Sequence, residues 1–180
     1  PWASQNLPYS YDIHEDGSDD LTYSDVQTEH EESFSEWTTP CCSSFDGEYN
    51  SKTSDKPVAG TTYGNTQNNI VYFEETDWPQ ALGDADTTYA VTQSTYKSSE
   101  TVDADLFYNG VKWTWTTNGS FNGNNADLQS VATHEIGHVA GLGHSSQSTA
   151  TMYPTATSSD IQTTELDDWK GICSIYSGTC

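Results

Sequence analysis

Residues 7–13, Leu-Pro-Tyr-Ser-Tyr-Asp-Ile, alternate apolar and polar side chains, the period of a strand buried on one face. From Ser24 to Trp37 the pattern changes. Val26, His30, Phe34 and Trp37 recur at three- and four-residue steps, which predicts an amphipathic helix that stops before Pro40 and turns Glu and Asp to solvent. Residues 43–66, rich in Ser, Thr, Gly and Asn, read as strand fragments and loops, and the apolar run Asn69–Glu74 as a short buried strand. Two further strands are expected at Ala85–Gln93 and Asp103–Asn109, with a polar turn around Lys97–Glu100. A turn-rich loop at 117–125 leads to Asn125 as a helix N-cap, with Asp127 in the first turn and the helix running to about Val139. At the end, Leu166, Trp169, Ile172, Cys173 and Tyr176 have helical spacing within 165–176. There is no internal repeat and no βαβ alternation, so the fold class is α+β, with a sheet of about five strands in one domain spanning 1–180.

Charge narrows the partners. Five Lys and Arg stand against 27 Asp and Glu, a formal net charge of −22 that argues against nucleic acid and anionic membranes as partners. No run reaches the 18 or so apolar residues of a membrane helix, and the N-terminus lacks a charged and then apolar leader, so the chain starts as a mature protein would. The four cysteines form two sequence pairs, Cys41 with Cys42 and Cys173 with Cys180, and no C-x-x-C motif. That spacing suits disulfides and a secreted, extracellular protein better than a Cys metal site. Three connectivities are open; a bond between neighbours would strain the backbone, which favours one or two bridges from the first pair to the last. A monomer is expected.

The chemistry concentrates in His134-Glu135-Ile136-Gly137-His138. At about 100° per residue the two imidazoles leave one helix face together, within reach of a single tetrahedral ion. Glu135 stands beside the first ligand, where its carboxylate can take a proton from a water in the open metal position. Gly141 can adopt a left-handed conformation, end the helix and turn the chain so that His144 reaches the same ion. Three histidines and one open position describe a catalytic zinc site. His14 and His30 have no partner at ligand spacing and are expected to be ordinary surface or helix-face residues.

With these residues in place the chain resembles a matrixin, a branch of the metzincin zinc proteases. His134 to His144 reads HEIGHVAGLGH, followed by the Ser145 typical of that branch, and Thr151-Met152-Tyr153-Pro154 is similar to the family's Met-turn. Trp2 with Leu7–Tyr11, Phe34–Trp37, Asp103–Leu106 and Leu166–Ile172 are similar to other parts of the family's catalytic domain. The resemblance implies a twisted, mostly parallel five-stranded sheet, about three helices and a small C-terminal subdomain, with an upper part of about 1–144 and a lower part of about 145–180. It implies a zinc endopeptidase with protein or peptide substrates bound extended along an edge strand within 82–92. Ser130, Tyr153, Pro154 and Ala156 would line the main specificity pocket, Asp167 would pair with the N-terminal ammonium, and Asp168 would support the Met-turn. A catalytically silent binding module and a narrow-specificity peptidase are the alternatives. Residues 65–133 contain no histidine, so the family's second zinc is expected to be missing and one zinc is expected in all. Calcium is a candidate ion at Asp84, Asp86, Asp103 and Asp105, with Asn109 nearby.

Overall fold

The alternation near the start of the chain becomes β1 (Tyr9–His14) in a computed structural model that describes residues 1–61, 68–155 and 161–178. Tyr9, Tyr11 and Ile13 share one fully buried face, and Tyr11 stacks on Phe34 with ring centroids 4.9 Å apart. Phe34 belongs to α1 (Tyr23–Thr38), which opens on a capping box: Asp25 N–H donates to Thr22 Oγ1 and Thr22 N–H to the Asp25 carboxylate. The stripe expected on this helix, Val26, His30, Phe34 and Trp37, is the stripe that is buried.

Five strands form the main sheet in the order β2 (Gly47–Thr53), β1, β3 (Asn69–Glu74), β5 (Glu100–Asn109) and β4 (Ala90–Lys97). All neighbours are parallel except β4, which runs antiparallel to β5 at the edge. A two-residue hairpin joins them, Ser98 and Ser99 both holding positive φ (53° and 72°), as a turn matched to the twist of its strands requires. A small parallel pair, β6 (Thr114–Thr116) with β7 (Asn125–Asp127), leads into α2 (Leu128–Val139), and α3 (Leu166–Ile175) closes the described chain. The α+β architecture with a five-stranded, mostly parallel sheet and three helices is the one expected. No helix among the described residues is long and apolar enough to cross a membrane.

Three expectations shift. The edge strand begins at Ala90 rather than Ala85, because the Asp84 carbonyl accepts from Thr87 and Thr88 N–H and its side chain from Asp86 N–H, folding 84–88 into a turn. The N-cap of α2 is Asp127, not Asn125, which is already paired in β7. His14 is buried, not on the surface, while His30 lies on the helix face expected for it and is fully buried there. His30 donates from Nδ1 to the Val26 carbonyl and accepts the Tyr108 hydroxyl at Nε2 (2.7 and 2.9 Å), and burial pushes its pKa down to about 4. His14 lies on the opposite face of β1, edge-on to Tyr72. That second face is covered too, by Trp78 and Leu82 packed on Phe107.

Of the expected cross-links, Cys42–Cys173 is present, with Cα atoms 5.3 Å apart, and ties the chain beyond α1 to α3. Cys41 is disulfide-bonded as well, and no described cysteine is free. Cys180 lies outside the described residues.

Candidate active site

Helix α2 carries the chemistry, and both of its ends are fixed by local rules. At the start, Asp127 accepts from Ser130 N–H and Oγ (3.0 and 2.7 Å) and from Gly119 N–H (2.7 Å). At the end, Gly141 adopts φ 95°, its N–H donates to His138 O and Leu142 N–H to Gly137 O, the paired bonds of a Schellman close. The reversal frees the Leu142 carbonyl to accept from His138 Nδ1 at 2.8 Å. Gly137 has a packing role: a Cβ there would overlap Met152 Sδ and lie 2.7 Å from Trp37, so the absent side chain lets both pack beneath the helix.

The three histidines converge. One ring nitrogen from each of His134, His138 and His144 lies within 4.8 Å of the others, the only cluster of three or more His, Cys, Asp or Glu among the described residues that could hold a metal ion. His134 donates from Nδ1 to Thr151 O (2.6 Å) as His138 does to Leu142 O, so both rings are fixed in the tautomer that leaves Nε2 with a lone pair. His138 Nε2 and His144 Nε2 are 3.2 Å apart. Two ligands of a tetrahedral zinc with bonds of about 2.05 Å stand about 3.4 Å apart, so the donor set fits zinc. Burial and then the neighbouring imidazoles lower the pKa of His134 despite the opposing Glu135 charge, and burial and His138 lower that of His144, which favours the neutral, ligating form.

Behind the rings stands a buried strut. Asp168 on α3 accepts from Thr151 N–H (2.9 Å), Met152 N–H (3.1 Å) and Glu165 N–H (2.9 Å). Thr151 O holds His134, and Met152 O accepts Ser145 N–H (2.8 Å) next to His144. The backbone of this turn therefore orients two parts of the histidine cluster, while buried Met152 packs under α2. Sequence reasoning credited the methionine and missed the Thr151 carbonyl, whose position only the fold reveals.

A cleft of about 660 Å³ opens over the histidines, walled by β4 on one side and by Tyr153, Pro154 and Ile161 on another. Glu135 lies on its floor, 5% exposed, and accepts the Thr92 hydroxyl at Oε2 (2.7 Å). Two expectations are corrected here. Ser130 does not line the cleft; it is fully buried against the Asp127 cap, and Val131 takes the wall. Asp167 makes no ion pair with Pro1 among the described residues and instead accepts the Ser145 hydroxyl at 2.6 Å. Ala156 lies outside the described residues.

The four aspartates considered for calcium separate into two places. Asp86 pairs with Lys112 Nζ at 2.8 Å, which lowers its pKa, and Asp84 holds Asp86 N–H. Asn109 and Trp113 donate to the carbonyls of the same turn, Ala85 O and Thr88 O. Asp103 and Asp105 are buried on β5. Asp105 Oδ1 accepts Ile70 N–H at 2.9 Å while Oδ2 has no partner among the described residues, and burial, then Asp103, push its pKa up to about 7.

A helix with two histidines on one face, a third beyond a glycine turn and a buried methionine beneath defines a metzincin. The matrixin family model (peptidase family M10) matches residues 1–177, and the chain belongs to that family, which implies zinc. It is 44% identical over 68 residues to metalloendoproteinase 1-MMP of Arabidopsis thaliana, covering 35% of this chain and 18% of that protein. It is 46% identical over 72 residues to human matrix metalloproteinase-20 (39% and 14%) and 52% identical over 48 residues to human matrilysin (26% and 18%). The matched stretches thus span less than a fifth of these relatives' length.

Proposed function

We propose that this chain is a secreted zinc endopeptidase whose single catalytic domain binds zinc at His134, His138 and His144 and uses Glu135 as general base. The observation that carries the reading is the convergence of three imidazoles, two of which, His134 and His138, have their outer nitrogens held by carbonyls, on the floor of a cleft bounded by a sheet edge. Zinc bound there would supply Lewis-acid polarisation of the scissile carbonyl and acidify the attacking water. Glu135 takes the proton from that water and delivers it to the leaving amine nitrogen. An extended peptide adds antiparallel to β4, whose outer edge has no strand partner among the described residues, so main-chain hydrogen bonds would supply affinity independent of sequence. Tyr153 and Pro154, with Val131, contact a side chain of the substrate. The disulfide suits an oxidising compartment.

Glu135→Gln tests the reading. It should keep zinc, since Glu135 is no ligand, and lose about 2 to 4 decades in kcat on a generic protein substrate, while a zinc chelator abolishes wild-type turnover. Near wild-type cleavage by the variant would refute the assignment of the base.

A further inference from the structure

We propose that Thr92 is a positioning residue for the general base: its hydroxyl holds the Glu135 carboxylate in the orientation proton transfer needs. The inference rests on the proposed role of Glu135. Thr92 is the third residue of β4, fixed opposite Leu106 in the antiparallel ladder, and its side chain shares the cleft wall with Ser94 and Tyr96. From there Oγ1 reaches 43 residues along the chain to two atoms of Glu135, Oε2 at 2.7 Å and the main-chain carbonyl at 2.9 Å. The hydroxyl has one proton. The carboxylate is both the nearer and the stronger acceptor, so the proton goes to Oε2 and the carbonyl contact serves to seat the hydroxyl.

Glutamate has three side-chain torsions, and on the cleft floor no other side chain among the described residues donates to this carboxylate. One charge-assisted bond to Oε2 selects a rotamer before substrate arrives and leaves Oε1 to receive the proton. It also joins two functions mechanically. The strand along which a peptide would extend is the strand that aims the base, so a shift of β4 on binding is transmitted to Glu135 through a single hydroxyl.

The isosteric Thr92→Val removes the donor and keeps the shape, and Thr92→Ser keeps the donor. In the zinc-loaded enzyme Thr92→Val should lower kcat about tenfold with KM within about twofold, at unchanged zinc content and melting temperature, and Thr92→Ser should recover most of that loss. In crystals of the metal-free proteins the Glu135 carboxylate should hold its place in wild type and Thr92→Ser and leave it in Thr92→Val. Wild-type kcat for Thr92→Val, an equal loss in Thr92→Ser, or an unmoved carboxylate in Thr92→Val would each overturn the proposal. Glu135→Gln measured alongside separates the two failures. If it turns over normally, the base is misassigned; if it is inactive while Thr92→Val is fully active, only the role of Thr92 falls.

Discussion

Two clusters of ionisable side chains flank the same stretch of sheet, three histidines on the α2 side and Asp103 with Asp105 on the face that carries Phe107. The outer nitrogens of His134 and His138 are bonded to carbonyls, which turns the inner ones towards one point. Asp105 has the reverse surroundings. It is fully buried with one oxygen on a backbone N–H and the other unpartnered among the described residues, and the charge of the Asp103 carboxylate opposes its ionisation. The contrast teaches that a metal site is marked by what orients its donors and not by how many there are. A single buried carboxyl in such surroundings is better served by a proton.

The largest effect that could break the contrast belongs to the histidines. His144→Ala leaves a two-ligand site, so zinc should be lost on dialysis against a mild chelator together with more than about two decades of activity. Elemental analysis of the wild type should give one zinc per chain, any further ion being calcium. A variant that keeps stoichiometric zinc, or a wild type with two, would show that the ligand set is different.

A smaller effect is expected at Asp105. Below its ordinary value of 3.8 the carboxyl is protonated in both folded and unfolded chains, and the stabilisation it contributes is complete. That stabilisation is lost as the pH rises through about 7, where the native state must ionise a buried group. Asp105→Asn should therefore match wild type in melting temperature near pH 4 and exceed it by about 2–5 °C at pH 8, both with a calcium chelator present. A difference that does not change with pH would remove Asp105 as the titrating group. The smallest effect concerns Lys112. Its pair with Asp86 is exposed, so Lys112→Met should lower the melting temperature only slightly, and about 0.5 M salt should erase the difference. A loss that persists in high salt would mean that the lysine acts through packing.

Much of the site was legible because spacing on a helix is geometry: four residues return His138 to the face of His134, and a glycine after the helix permits the reversal that brings back His144. The sheet was legible in its apolar runs, but the strand boundary at Ala90 depended on a turn built from Asp84 side-chain and backbone bonds that look strand-compatible in one dimension. Ser130 was assigned to the pocket by resemblance alone, and the cap at Asp127 shows why it does not reach the cleft. As the third residue of the helix it turns back to bond the cap, and the next position faces the cleft. Asp167 was expected at the N-terminus and found on Ser145, a choice between two partners that only tertiary packing makes. Thr92 carried no local signal, since its meaning lies in a strand and a helix meeting 43 residues apart.

The Cys42–Cys173 bond has a consequence for a protein whose proposed activity is to cut polypeptides. It encloses 131 residues of separation, including the edge strand, the histidine helix and the turn beneath it. A molecule nicked by a neighbour anywhere inside that loop stays one covalent body, its two pieces held at the distance of the intact fold. Self-cleavage in a concentrated solution would accordingly pass unseen on a gel run without reductant and appear as two fragments once thiol is added.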